Sequence, residues 1–186
     1  AIPYYYEGAS FSASYCAVCT ANPDNAKTAV DRYSLGKACI NEDEIINDPD
    51  IDVIDICTPN IFHYESAKKA IAAGKHVLCE KPCVPTVKEF DELCEIAKNN
   101  GRIFLVFQQS RFAHYFEKVK EVIASGVLGR LVQVGIQFNG YARRWDWQCC
   151  REFNGGNLAN TGPHPLDQAL NIMDMYDGMP EVFCRM

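Results

Sequence analysis

Short apolar runs alternate with amphipathic stretches through the first 110 residues of this chain, and that alternation restricts the fold more than any other feature. The runs Ser14–Cys19, Val53–Cys57, His76–Cys79 and Ile103–Phe107 predict strands, since short, continuously apolar segments suit a sheet buried on both faces. Between them, Asp24–Tyr33, Glu42–Ile46, Ile61–Ala73 and Thr86–Asn99 predict helices. Pro23 opens the first at an early helical position. The third carries Ile61, Tyr64, Ala67 and Ile71 at helical spacing, with Gly74 placed to end it. In the fourth, Thr86 and Glu89 have the spacing of a capping box, Val87, Phe90, Leu93, Cys94 and Ala97 share one face, and Gly101 follows. Strand–helix–strand alternation implies right-handed βαβ units and a parallel sheet covered on both faces. Residues 1–111 are therefore read as a doubly wound α/β domain.

The second half follows another pattern. Phe112–Ser125 predicts a helix ended by Gly126, Leu131–Phe138 a partly alternating strand, Pro165–Met175 a helix and Glu181–Met186 a strand. Residues 141–156 show little periodicity and hold both tryptophans. Residues 112–186 read as the start of an α+β domain. The chain begins at Ala1 without Met and ends inside an apolar run, so the expectation is a piece of a longer protein.

Charge and cysteine usage narrow the function classes. Residues 1–110 carry ten basic and sixteen acidic side chains, residues 111–186 eight of each, so the net charge is −6 with no basic face for nucleic acid. No apolar run approaches the roughly 18–20 residues of a membrane helix. The ten cysteines mostly sit in apolar runs such as Ile54–Cys57 and Val77–Cys79, and are read as reduced thiols of a cytoplasmic protein. Cys16 and Cys19 have CxxC spacing but no second pair and no nearby His, so no metal site is expected.

Ligands of parallel α/β sheets bind beyond the carboxyl ends of the strands. Three strands here run into polar groups: Thr58-Pro59-Asn60, Glu80-Lys81-Pro82 and Gln108-Gln109-Ser110-Arg111. Turn formation accounts for Pro59 and Asn60. It accounts poorly for Lys81, placed between Glu and Pro at the mouth of a buried strand. A second candidate is Gly155–Asp167, where a Gly pair permits close backbone approach to a ligand and prolines flank His164.

Ala73-Gly74-Lys75-His76-Val77 followed by Glu80-Lys81-Pro82, spaced after Cys57-Thr58-Pro59-Asn60 with His63 and preceded by Asp48-Pro49-Asp50-Ile51-Asp52-Val53, is a specific combination. With the Gly155–Asp167 stretch, it resembles the glucose–fructose oxidoreductase / inositol dehydrogenase / MocA-type oxidoreductases over essentially the whole chain. The resemblance implies an NAD- or NADP-dependent enzyme with a Rossmann domain and an open-faced sheet domain. It implies that Thr58, Asn60, His63, Glu80, Lys81 and Pro82 line the cofactor site, with a cis bond before Pro82. It implies that Lys81 and His164 are catalytic and that Asp167 is structural or orienting. Family members often associate through the second domain, so a homo-oligomer is expected of the complete protein.

Three departures from the family pattern matter. The Gly-rich turn that binds the pyrophosphate is absent from the sequence given. Thr20 stands where many members carry an Asp for the adenosine ribose, which leaves NAD against NADP open. Asn160 stands where many carry an Asp four residues before the His, and an amide can hydrogen-bond a hydroxyl but cannot act as a base.

The chemistry such residues serve is oxidation of a secondary alcohol, with His164 as general base and Lys81 as electrostatic partner or proton relay, or the reverse. Tyr141–Gln148, with Arg144 and Trp145, is the expected substrate segment, joined by Arg111, Asn160 and His164. The expected substrate is a small polyhydroxylated molecule: a sugar, sugar acid or cyclitol. Two other functions fit the same scaffold, a non-catalytic dinucleotide-binding regulator and a glycosidase that uses NAD as a transient hydride store.

Overall fold

The structure, a computed structural model, describes residues 13–140, 143–174, 178 and 180–185. Among the described residues five strands form two parallel sheets. β1 (Ala17–Cys19) pairs with β2 (Lys37–Cys39), and β3 (Val53–Ile56), β4 (His76–Glu80) and β5 (Phe104–Phe107) follow in the order β3-β4-β5. β2 carries no apolar run, and Cys39 alone of its residues is buried, so its strand character comes from pairing with β1. The helices are α1 (Pro23–Tyr33), α2 (Asp43–Ile46), α3 (His63–Ala72), α4 (Val87–Asn99), α5 (His114–Ala124), α6 (Asn157–Asn160) and α7 (Pro163–Met173). None of the described helices is long and apolar enough to cross a membrane.

Local chemistry sets the helix ends. Asn22 Oδ1 accepts from the amides of Asp24 and Asn25 at the start of α1, with Pro23 in the first turn. At α4 the Glu89 amide donates to Thr86 Oγ1 (3.2 Å), and the Thr86 amide donates to Glu89 Oε2 (3.1 Å), completing the capping box. Gly74, just beyond α3, takes a φ of +82°, a backbone conformation that side chains with a Cβ resist.

The core lies between the three-stranded sheet and the helix pair α3/α4. The register sets Ile54 beside Val77 and Phe104, and Ile56 beside Cys79 and Val106. These two rows pack with Ala67, Ala70, Ile71, Leu93 and Ala97. The alternate row holds Asp55, Leu78 and Leu105, and Leu105 is 57% exposed. Among the described residues, then, the helices cover one face well, and the other carries open positions.

The second half corrects two expectations. Leu131–Phe138 forms no strand. Its alternation survives as half-buried Leu131, Val134 and Ile136, but a strand is defined by its ladder, and no described segment pairs with it. Residues 181–185 likewise form no strand, and Met186 lies outside the described residues. Met175 at the expected end of α7, and Tyr141 and Ala142 of the substrate segment, also lie outside them.

Candidate active site

Parallel strands bring their carboxyl ends to one edge of the sheet, and the polar groups that follow β3, β4 and β5 gather there. After β3, a 3-10 turn (Asn60–Phe62) leads directly into α3. Asn60 is buried, and its Nδ2 donates to the Asn154 carbonyl (2.9 Å), tying the β3 end to the second half of the chain. His63, at the start of α3, is 0% exposed. Its Nε2 faces the Thr58 carbonyl (2.8 Å), and its Nδ1 faces the carbonyls of Pro82 (3.0 Å) and Cys83 (3.2 Å). A ring so enclosed does not line an open cofactor surface; it clasps the end of β3 to the turn after β4. What the structure shows for His63 is this support of the edge. Thr58 is exposed at the same edge.

The turn after β4 holds the cis Lys81–Pro82 bond. Glu80 Oε2 accepts from the Lys81 amide (3.1 Å). Lys81 Nζ donates to both the backbone oxygen and Oδ1 of Asn160, each at 3.0 Å. Burial pushes the Lys81 ammonium below its ordinary pKa and the Arg144 charge adds to this, while Glu80 opposes it.

After β5, the 3-10 turn Gln109–Phe112 carries Ser110 and Arg111 against α7. His164 sits in the first turn of α7, behind Pro163. Its Nδ1 lies 3.0 Å from Gln108 Oε1 and 3.2 Å from Ser110 Oγ. Gln108 Nε2 donates to the Pro163 carbonyl (2.9 Å). Gln168, 2% exposed, donates to the Ser110 carbonyl (3.2 Å) and to the Tyr115 hydroxyl (2.6 Å). Arg111 Nε and Nη2 grip the Asp167 carboxylate at 2.5–2.9 Å. Asp167 thereby bolts α7 to the end of β5 through Arg111. Burial lowers the His164 pKa, the Lys81 charge lowers it further, and Glu80 and Asp167 pull the other way.

Lys81, Asn160 and His164 thus meet at one sheet edge, as do Glu80 and Pro82. Trp145 stands apart, 84% exposed with the Arg143 guanidinium 5.4 Å from its ring, so it belongs to no core. Arg144 donates to Gln148 Oε1, and its charge reaches Lys81. Gly155 makes a close internal approach: a Cβ on it would fall 2.5 Å from the Gln148 carbonyl oxygen and 2.8 Å from that of Cys150, while Gly156 has open space around it. Ser110 and Gln168 carry no sequence signal beyond Ser110's place at a strand end, yet they hold His164 and its helix.

This donor set fits the nicotinamide end of a dinucleotide. A carboxylate (Glu80) and an amine with a depressed pKa (Lys81) flank the sheet edge where a ring that gains and loses positive charge would lie. The N-terminus of α1 offers no pyrophosphate cradle, because two of its first-turn amides are spent on Asn22. A family model for an oxidoreductase family with an NAD-binding Rossmann fold matches residues 3–108, and one for the GFO/IDH/MocA C-terminal domain matches residues 116–183. The chain belongs to the GFO/IDH/MocA oxidoreductases. Among relatives within this group, D-glucoside 3-dehydrogenase of Escherichia coli is 30% identical over 172 residues, covering 89% of this chain and 47% of that protein. The NADP(+) scyllo-inositol 2-dehydrogenase of Bacillus subtilis is 34% identical over 140 residues, covering 72% of this chain and 38% of that protein. The solved aldose-aldose oxidoreductase of Caulobacter crescentus, complexed with glycerol, superposes with a TM-score of 0.71 at 26% identity, over 86% of this chain and 49% of its own. The chain spans less than half the length of the curated GFO/IDH/MocA relatives it matches.

Proposed function

We propose that the protein containing this chain transfers a hydride between a nicotinamide cofactor, NAD or NADP, and a secondary alcohol of a sugar, sugar acid or cyclitol. The observation that carries the reading is the convergence of Lys81, Asn160 and His164 at the carboxyl edge of the parallel sheet. The named relatives act on glucosides and inositols, which supports a polyhydroxylated substrate. The free thiols of all ten cysteines support a cytoplasmic setting.

When bound, the cofactor supplies the hydride acceptor or donor. Thr58, Glu80, Lys81 and Pro82 would hold its nicotinamide end, with Asn60 and His63 keeping the edge in shape. His164 takes the hydroxyl proton, since its lowered pKa keeps the ring neutral near pH 7. Lys81 as an ammonium stabilises the developing alkoxide, and Asn160 holds the Lys81 amine in place. Arg144, whose charge reaches Lys81, is the nearer candidate for contacting substrate, and Arg111, held by Asp167, is the second.

The test is turnover of the complete protein on a panel of sugars and cyclitols with either cofactor. Lys81→Ala and His164→Ala should each lower kcat by about a hundredfold or more. Near-native rates in both variants would overturn the assignment.

A further inference from the structure

We infer that Gln108 is a positioning residue that fixes the tautomer of His164, with the proton on Nδ1 and the lone pair on Nε2. The inference deepens the proposed function and rests on His164 being its base.

A carboxamide has one donating and one accepting end, and which way it points is settled by its partners. The Gln108 amide nitrogen lies 2.9 Å from the Pro163 carbonyl. A carbonyl only accepts, so the NH₂ group must face it. Turning the amide over would set two oxygens against each other. The amide oxygen therefore faces His164 Nδ1 at 3.0 Å. Were Nδ1 unprotonated, its lone pair would meet that oxygen's lone pairs. A proton on Nδ1 makes the same approach a hydrogen bond.

Ser110 closes the set consistently. Its hydroxyl donates to Gln108 Oε1 (3.5 Å), so the lone pairs of Oγ are left to face Nδ1–H at 3.2 Å. The Ser110 hydroxyl and Nδ1–H then each have an acceptor, and this arrangement admits one neutral tautomer. Among the described residues Nε2 has no hydrogen-bond partner, so the basic lone pair stands available. Because Pro163 and His164 are adjacent, one side chain from the end of β5 registers both the start of α7 and the ring it carries. The charged groups acting on that ring are Lys81, Glu80 and Asp167.

Long-range ¹H–¹⁵N correlation spectra of this chain test the inference directly, with His164→Gln assigning the ring among the four histidines. Neutral His164 should show a protonated-type Nδ1 and an unprotonated-type Nε2. The reverse pattern overturns the inference. Gln108→Leu should lose the preference, while Gln108→Glu should keep Nδ1–H and raise the midpoint of the ring's titration. An unchanged tautomer in Gln108→Leu also overturns it. In the complete protein Gln108→Leu should lower kcat by about ten- to a hundredfold, the usual cost of losing a group that orients a functional histidine, with little change in KM. The two readings fail separately. A native Nδ1–H tautomer with an active His164→Ala enzyme sinks the proposed function and leaves the tautomer lock standing. A native Nε2–H tautomer with an inactive His164→Ala enzyme does the opposite.

Discussion

Lys81 and Asn160, 79 positions apart in sequence, are joined by two hydrogen bonds from one ammonium group, to the backbone oxygen and to Oδ1 of the same residue. The amide supplies acceptors without charge, so Asn160 adds no ion-pair attraction to the Glu80 charge that partly offsets the cost of burying the ammonium. Asn160→Asp should move the Lys81 titration upward, toward the ordinary lysine range. Asn160→Leu, which keeps only the backbone acceptor, should not raise it. The pH dependence of Lys81 acylation in the folded chain reads this, and an Asp variant that titrates like the native chain would rule out the coupling.

The His164 ring should gain its proton below the ordinary histidine value of about 6.5, because burial and the Lys81 charge both disfavour the imidazolium. Lys81→Met should bring the midpoint back up. The sign for stability follows. Between the folded midpoint and about pH 6.5 the unfolded chain holds more protons, so the contribution of His164 is full above about 6.5 and is lost as pH falls through the folded midpoint. Proton NMR titration of the ring measures the shift. A midpoint above that of an unstructured histidine would refute it.

Removing the His63 clasp should loosen the site without touching it. His63→Phe keeps the buried volume but leaves the carbonyls of Thr58, Pro82 and Cys83 without their shared ring partner. The expected cost is about 1–3 kcal/mol, measured by urea unfolding of the chain. An unchanged midpoint would show that the clasp carries no stability.

The ion pair that bolts α7 to β5 should respond asymmetrically. The Asp167 side chain is 12% exposed and that of Arg111 44%. Arg111→Met leaves a largely buried carboxylate without its guanidinium, whereas Asp167→Ala leaves a cation that can turn to water. The first should therefore cost more than the second, by about 1 kcal/mol or more. Equal losses in thermal unfolding would contradict this.

Much of the fold was readable in the sequence where the signal is local. The Thr86/Glu89 capping box and Pro23 in the first turn of α1 act within a few residues and appear where expected, whereas of the apolar face expected on α4 only Leu93 and Ala97 are buried and Val87, Phe90 and Cys94 stay exposed. Leu131–Phe138 had the alternation of a strand but lacked a partner, and alternation describes only which side chains could share a face. β2 had the partner without the pattern.

The Glu80-Lys81-Pro82 turn and His164 could be found by residue type and spacing, because a lysine at a strand mouth and a histidine between prolines are unusual in themselves. What surrounds them could not. That His63 is sealed against Pro82 and Cys83, 19 and 20 residues on, and that Gln108 spans Pro163 and His164, 55 and 56 residues on, depend on groups far apart in sequence, while the close fit of Gly155 under the Gln148 and Cys150 carbonyls depends on how its own loop folds. Periodicity, caps and turns are short-range consequences of covalent geometry, so the sequence alone determined the elements and the chemistry at their ends. Pairings across the sheet edge depend on where the chain closes on itself, and only the tertiary structure decided which acceptor meets which donor.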